Sequence, residues 1–380
     1  MTGDAPPLEH VEGDFDHSEK RVSWVELFFD LVLVFAITQV AALLHHEPTW
    51  GGAARALVVF IPIYWGWVGT SIHGNTNDVD TPLERLAIVA IGLAAFVMAL
   101  AVPGAFGTRG ALFAVAYLGL RIILVALLSR ERRLIPGPYT LALFVTAPLL
   151  ILGSAFSGHT RLTVWAIAGV LDLSSPRLFR HRLINLQIDP SHLPERYGLF
   201  VLIALGESIA SVGLKAAAHP ELSAAVLSAT IAAFVLTCAM WWTYFAFGAS
   251  AIHYAIEIAD VRVDMIRQVL TYAHLVFVGA IVAVAVGLSD VVSEPSRPLA
   301  SGSNALLFGG CATYLLTFGY TRYRMFRLHS VTRIPAGLAC ALLLPLGTHL
   351  DAGLAVTLLA LVLVSLNVIE YVRVRRNGSL

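Results

Sequence analysis

Long apolar runs constrain this chain more than any other feature, because each can form a helix that crosses a lipid bilayer. A helix rises about 1.5 Å per residue, so about 20 apolar residues cross a hydrocarbon layer roughly 30 Å thick. Such runs follow one another along nearly the whole chain. They lie at residues 24–44, 54–72, 83–103, 110–129, 138–157, 160–175, 196–215, 222–247, 265–289, 303–320, 333–349 and 352–372.

Composition agrees with a membrane protein. Hydrophobic residues make up 57% of the chain and charged residues 13%, which lies outside the range of soluble globular proteins. We therefore predict an all-α fold, a polytopic transmembrane helical bundle of about 12 spans.

The formal net charge of +0 gives no reason to expect a nucleic-acid partner. We expect membrane lipids as partners and leave oligomerisation possible. The cysteines Cys238, Cys311 and Cys340 fall inside the runs and indicate no disulfide framework.

Basic residues give the orientation. Most of the 25 Lys and Arg residues fall in alternate connections, on the side where the chain begins and ends. Because cytoplasmic loops accumulate positive charge, both termini are predicted to be cytoplasmic, in a bacterial cell membrane. The first 22 residues are polar and lack a basic n-region, which argues against a cleaved signal peptide.

The two halves of the chain resemble each other weakly. Thr38-Gln39 and Glu207-Ser208 occupy matching positions in spans one and seven, and spans two and eight carry Trp-rich segments near their inner ends. Because these matches occur in the same order in both halves, we predict two six-helix repeats, at 23–182 and 183–376. A cytoplasmic tail at 1–22 precedes them and a tail at 377–380 follows. Six spans per repeat make the repeats parallel, which places a site near the midplane between them.

Glu207 is the acid placed deepest in an apolar run. Beginning near Glu195, a helix puts Glu207 about 18 Å along its axis, close to the membrane midplane. An ionised acid there costs roughly 2.5 to 3.5 kcal/mol, so it is protonated, paired or next to a wet cavity. We interpret Glu207 as a proton or cation carrier, with Ser208 beside it. The alternative is a protonated acid bonded to a neighbouring helix.

Two acids and one arginine form the next candidates. Glu26 follows Ser23 at the spacing of a capping box, which favours a structural role. Asp30 lies one turn deeper on nearly the same face, beyond capping reach. The two acids could hold a proton or a cation, or Asp30 could pair with Arg121, which falls near mid-depth in the fourth span. We predict that Asp30 and Arg121 form a gating or structural pair, with a substrate anchor as the alternative.

The remaining candidates are weaker. His274 lies on one helical face with Arg267 and Thr271, and could modulate a proton route with Glu207. Asp172 is expected to meet headgroup water. The tyrosines and tryptophans near the inner ends of spans two and eight are expected to form an interfacial belt. These are Tyr64, Trp65, Trp67, Trp241, Trp242 and Tyr244.

A polar segment joins spans two and three. It contains His73, Asn75, Asn77, Asp78 and Asp80. We interpret it as a solvated loop rather than a metal site, because its spacing matches no established metal motif. No cofactor, metal or catalytic residue is predicted, because the sequence has no phosphate-binding glycine loop, nucleophile elbow or HExxH motif.

Two stretches resemble the bacterial low-temperature-requirement A family. They are Val22 to Gln39, with the sequence VSWVELFFDLVLVFAITQ, and Glu195 to Ser208, with the blocks ERYGLF and ALGES. Asn75, Asp80 and Arg85 match the spacing of the family's second connection, and Tyr272-Ala273-His274 is similar to its ninth span. Directly after the segment Trp241 to Phe245, the family often has an acid, whereas this chain has Ala246. The resemblance implies an integral membrane protein without implying a reaction.

Function follows only broadly from these features. Buried acids in a polytopic bundle favour a proton- or cation-linked secondary transporter or an ion-permeation protein acting on an unknown small ion or molecule. A distant similarity of Phe28-Phe29-Asp30 to potassium channels with six-helix repeats is one alternative. A membrane-embedded enzyme acting on a lipid or hydrophobic metabolite, and a non-catalytic stress-adaptation protein, are two others.

Overall fold

The fold is a bundle of long helices. The computed structural model describes residues 21–131, 136–184, 186, 188–259 and 261–377, and all regular structure within those ranges is helical. Most of the predicted tails, 1–20 and 378–380, lies outside the described residues. Twelve long helical segments follow in order: α1 Trp24–His46, α2 Trp50–Thr76, α3 Pro82–Ala101, α4 Gly110–Glu131, α5 Pro138–Ser154, α6 Gly158–Leu178, α7 His192–Ala217, α8 Ala224–Glu257, α9 Arg262–Ser293, α10 Ser301–Phe326, α11 Arg333–Gly347 and α12 Ala352–Asn377. A short helix, Arg180–Leu183, lies between α6 and α7.

Each of the twelve apolar runs coincides with one of these helices, which confirms the predicted all-α polytopic bundle. Within the described ranges, eight helices are long and apolar enough to cross a membrane. Two others, α5 and α11, are apolar but shorter. The helices α6 and α10 have the length of a span, yet fall outside the eight. The full count of twelve crossings therefore stays a prediction.

Contacts at the helix ends show that α1, α7 and α9 run in the same direction. At one end of the bundle, Glu26 near the start of α1 meets Arg196 near the start of α7. At the other end, His45 in the last turn of α1 lies 2.8 Å from Asp290 in the last turns of α9. The position of both termini on one side of the membrane stays a prediction.

Helix α1 packs through one face. Its buried residues recur every three or four positions, as expected for a helix that contacts the bundle on one side. They are Glu26, Phe29, Asp30, Leu33, Ala36, Ile37, Val40 and Leu44. By contrast, α2 is buried on almost all sides, and α9 on most. The two acids of α1 therefore point into the bundle.

Small residues allow the helices to approach closely. A Cβ on Gly310 of α10 would lie 2.8 Å from Val284 Cγ2 and 2.9 Å from the Ala280 carbonyl oxygen of α9. Such distances are too short for real contacts, so only glycine fits there. Interfaces of this kind are typical of helix packing in membranes.

Neighbour relations in the first six helices recur in the last six. Helix pairs α1·α2, α1·α3, α3·α4, α4·α5, α5·α6 and α2·α6 pack together, and so do α7·α8, α7·α9, α9·α10, α10·α11, α11·α12 and α8·α12. Between the halves, α1 packs on α7 and α9, and α2 packs on α7. The two halves therefore share one order of neighbours, and the pair of parallel repeats at 23–182 and 183–376 stays a prediction.

Three helices contain a π-helical segment, in which each turn holds an extra residue. These segments are Ala142–Thr146 in α5, Tyr244–Gly248 in α8 and Ile266–Tyr272 in α9. Each contributes one polar side chain to the buried interior: Thr146, Tyr244 and Thr271. Segments of this kind often occur at functional sites.

Candidate functional site

A buried ionic cluster lies where α1, α2 and α7 meet. Glu26 and Asp30 of α1 and Arg196 of α7 are all fully buried. Arg196 Nη1 donates to Glu26 Oε1, and Arg196 Nη2 lies 3.1 Å from Asp30 Oδ1. One guanidinium thus binds two carboxylates. We call Glu26, Asp30, Arg196 and His192 the inner cluster.

Hydrogen bonds from other side chains fix the carboxylates in place. Trp67 Nε1 of α2 donates to Asp30 Oδ1 at 2.7 Å. Ser23 donates to Glu26 Oε2 through its backbone N–H and its hydroxyl, both at 3.0 Å, which confirms the predicted capping box. The Asp30 Oδ2 atom is buried and has no hydrogen-bond partner among the described residues.

Gly74 of α2 allows this arrangement. A Cβ at this position would overlap Glu26 Oε1, so any other residue would push α2 away from the carboxylate. The close approach brings the end of α2 against the start of α1 and seals the inner cluster on that side.

A short loop before α7 covers the cluster. The Asn75 side chain forms two hydrogen bonds with the backbone of Asp189, each 3.0 Å long. The Asp189 carboxylate accepts hydrogen bonds from the Ser191 hydroxyl and from the backbone N–H groups of Ser191 and His192. Burial alone would raise the pKa of Asp189, but these hydrogen bonds, led by that of the Ser191 hydroxyl, lower it below its ordinary value.

The same contacts orient the His192 ring. Because Asn75 Oδ1 accepts from the Asp189 N–H, its Nδ2 faces His192 Nδ1 at 3.4 Å and donates to it. His192 Nε2 then carries the proton and donates to Glu26 Oε2 at 3.2 Å. Counting only its two carboxylates and its guanidinium, the inner cluster carries one excess negative charge when both acids are ionised.

A second buried network extends from the cluster into the other half of the chain. Tyr64 donates to the Thr271 carbonyl at 2.7 Å, and the Tyr197 hydroxyl lies 3.3 Å from Thr271 Oγ1. His274 Nδ1 donates to the Val269 carbonyl at 2.9 Å, so its Nε2 accepts from the Tyr244 hydroxyl at 2.7 Å. Tyr197 contacts both the Trp67 and the His274 rings. His274 is therefore connected to the inner cluster through aromatic side chains.

Arg121 and Asp30 do not form the predicted pair. Asp30 binds Arg196, whereas Arg121 faces Asp172 of α6 with 3.6 Å between Nη2 and Oδ2. Asp172 is fully buried rather than at the headgroups, and it accepts hydrogen bonds from Tyr117 and Thr146. The prediction failed because depth along a helix does not reveal which helices are neighbours.

Glu207 lies apart from the inner cluster. Its side chain is half-buried at the edge of the α7 face that packs into the bundle, and Ser211 donates to it at 3.0 Å. Ser208 is buried and donates to the Ala204 carbonyl. Within the described ranges, no ion pair includes Glu207 and no direct contact joins it to His274. Its role as a carrier stays a prediction.

The other predicted positions divide between buried and exposed. In the segment joining α2 and α3, His73 and Asn75 are buried, while Asp80 is exposed and pairs with Arg85 at 3.0 Å. Of the expected aromatic belt, Trp241 and Trp242 are partly exposed. The remaining four are buried in the interior, which corrects the expectation for Tyr64, Trp65, Trp67 and Tyr244.

A balanced ion pair occupies the second half. Arg333 of α11 and Glu370 of α12 form two parallel hydrogen bonds of 2.9 Å. The Thr332 hydroxyl donates a third hydrogen bond to the Glu370 carboxylate, and the Arg333 guanidinium lies over the Phe318 ring. One positive charge matches one negative charge, so this pair joins two helices without excess charge.

Sequence reasoning missed Arg196 and His192. Arg196 lies in the first turns of α7, where the positive charge of a cytoplasmic loop is a sufficient explanation from the sequence, although the buried face of that helix includes Phe200 and Ala204 one and two turns later. The signal that could have identified it is charge: α1 carries two inward-facing acids and no Lys or Arg, so a cation had to come from another helix.

Comparisons with known proteins agree with the fold. The sequence profile described as bacterial low temperature requirement A protein matches residues 21–368. An uncharacterized protein of Rhizobium meliloti (strain 1021) is 32% identical over 292 residues, which cover 73% of this chain and 71% of the relative. No solved structure matches the chain significantly.

Proposed function

This chain belongs to the bacterial low temperature requirement A family of multi-pass membrane proteins, and on that premise we propose that it is a proton-linked secondary transporter. The observation that supports the proposal is the charge of the inner cluster. Two fully buried carboxylates share one guanidinium, and one acid oxygen, Asp30 Oδ2, has no hydrogen-bond partner among the described residues. An excess buried charge is costly, so a proton or a cation neutralises it.

Asp30 is the group that carries this proton. Glu26 already accepts hydrogen bonds from Ser23, His192 and Arg196, which favour its ionised form. Asp30 has its Arg196 and Trp67 contacts on one oxygen only. A proton on Oδ2 would remove the excess charge without breaking any described contact.

The position of the cluster fits alternating access. It lies where α1 and α2 of the first half meet α7 of the second, and the Asn75–Asp189 loop closes it at the end of the bundle where α1 begins. Two halves that move relative to one another would change the environment of Asp30. Sites between repeats are a common feature of secondary transporters.

Charge displacement after a pH jump tests this proposal before a substrate is known. Proteoliposomes on a solid support would show a transient current when protons enter the intact protein. Asp30→Asn should abolish that current, whereas Asp80→Asn, which changes an exposed acid, should preserve it. A smaller transient current in Glu207→Gln would show that Glu207 of α7 also takes up protons. A current unchanged in Asp30→Asn would overturn the proposal.

A further inference from the structure

A cavity of about 480 Å³ opens at the end of the bundle where α1 begins, separate from the inner cluster. The ends of α2 and α4, the start of α5, the segment after α6 and the start of α9 surround it. Its volume lies in the range of sites for small organic molecules. We call it the arginine cavity, because Arg121, Arg182 and Arg267 line it.

The lining combines positive charge with an apolar wall. No carboxylate is among the described lining residues, although Asp264 pairs with Arg267 from outside the cavity. Most of the wall is apolar, including Trp65, Val68 and Leu128. A ligand that fits both features has an anionic head and an apolar body.

Arg121 is the strongest sign that a ligand belongs here. The guanidinium is 2% exposed, and its Nε and Nη2 atoms donate no hydrogen bond to the described residues. Asp172 forms an ion pair with Arg121 at 3.6 Å between Oδ2 and Nη2, beyond hydrogen-bond distance, and its oxygens accept hydrogen bonds from Tyr117 and Thr146. Buried N–H groups left without acceptors are destabilising, and a carboxylate or phosphate oxygen would satisfy them.

We propose that the arginine cavity binds an amphipathic organic anion, with the anionic group at Arg121 and the apolar part against Trp65 and Val68. The guanidinium fork suits a carboxylate or a phosphate equally well. Such a ligand is either a free organic acid or an anionic lipid. Binding at this site does not depend on whether the protein moves protons.

Equilibrium binding of radiolabelled octanoate to the full-length protein in lipid nanodiscs tests the proposal, with empty nanodiscs as background. Octanoate should bind at least about tenfold more tightly than octanol, because one charge-assisted hydrogen bond contributes about 1.5–3 kcal/mol. Displacement by unlabelled octanoate but not by dioctanoyl phosphatidate assigns the site to a free acid. Stronger displacement by dioctanoyl phosphatidate than by unlabelled octanoate assigns the site to an anionic lipid. Equal affinity for octanoate and octanol, or displacement by neither anion, would overturn the proposal.

Variants locate the binding. The double variant Arg121→Gln/Asp172→Asn removes one charge of each sign and should weaken octanoate binding about tenfold. Leu183→Trp fills the cavity and should block binding. Ile184→Trp is the matched control, because Ile184 is the next residue, exposed and outside the lining. Unchanged octanoate affinity in both Leu183→Trp and the double variant, with the folded fraction confirmed by thermal unfolding, would refute the assignment.

Discussion

Asp30 of α1 and Arg196 of α7 meet in the interior with 3.1 Å between Oδ1 and Nη2, and the same guanidinium also binds Glu26. Two acids from one half of the chain thus depend on one cation from the other half. The contact links the beginnings of the two proposed repeats, so it affects both the stability of the bundle and its chemistry.

Replacing Arg196 should lower the unfolding free energy more than replacing Asp30. Arg196→Gln leaves two buried carboxylates together and is expected to cost about 3–5 kcal/mol of unfolding free energy. Asp30→Asn leaves a balanced Glu26–Arg196 pair, and we expect a loss below about 1 kcal/mol. Thermal unfolding of purified variants measures both.

The balanced pair in the second half supplies the control for that comparison. Glu370→Gln leaves Arg333 without its partner, so we expect a loss of stability similar to that of Arg196→Gln. The pH-jump current of the folded fraction should be unchanged. Equal effects of Asp30→Asn and Glu370→Gln on stability would argue against an excess charge at Asp30.

Gly74 sets the distance between α2 and Glu26. Gly74→Ala places a methyl group on the carboxylate and should destabilise the protein by about 1–3 kcal/mol, as overpacking does elsewhere. Gly279→Ala of α9 is the matched control, since a Cβ there meets no atom within 4 Å. That substitution should be neutral or stabilising because alanine favours helix. Similar unfolding temperatures for the two variants would contradict the close contact.

The sequence predicted the helices far better than their partners. Each apolar run was long enough to identify its helix, and the Ser23–Glu26 spacing identified the cap of α1. The partner of Asp30 was missed because Arg196 lies 166 residues further along the chain. Hydropathy shows how deep a residue lies, while neighbours depend on side-chain packing between helices.

Acid should loosen the loop over the inner cluster only well below neutral pH. Because the pKa of Asp189 is lowered in the folded state, its contribution to stability is complete above the ordinary carboxyl value of 3.8. It is lost as the pH falls through the lowered value. Hydrogen exchange at the Ser191 and His192 amides, corrected for intrinsic rates, should show protection down to that range. Protection lost near neutral pH would refute the role of Asp189.

His274 should tune the proton response rather than carry it. Its ring nitrogens contact the Val269 carbonyl and the Tyr244 hydroxyl, and its ring meets Tyr197 rather than an acid. His274→Ala is expected to shift the pH dependence of the pH-jump current, and Tyr244→Phe to shift it less. An unchanged pH profile in His274→Ala would remove His274 from the account.

Infrared spectroscopy tests the central claim most directly, because the carbonyl stretch of a protonated carboxylic acid is distinct from that of a carboxylate. At neutral pH the intact protein should show a protonated buried carboxyl that Asp30→Asn removes and Glu207→Gln leaves in place. An intact protein without that signal, or one whose signal persists in Asp30→Asn, would contradict a proton held at Asp30.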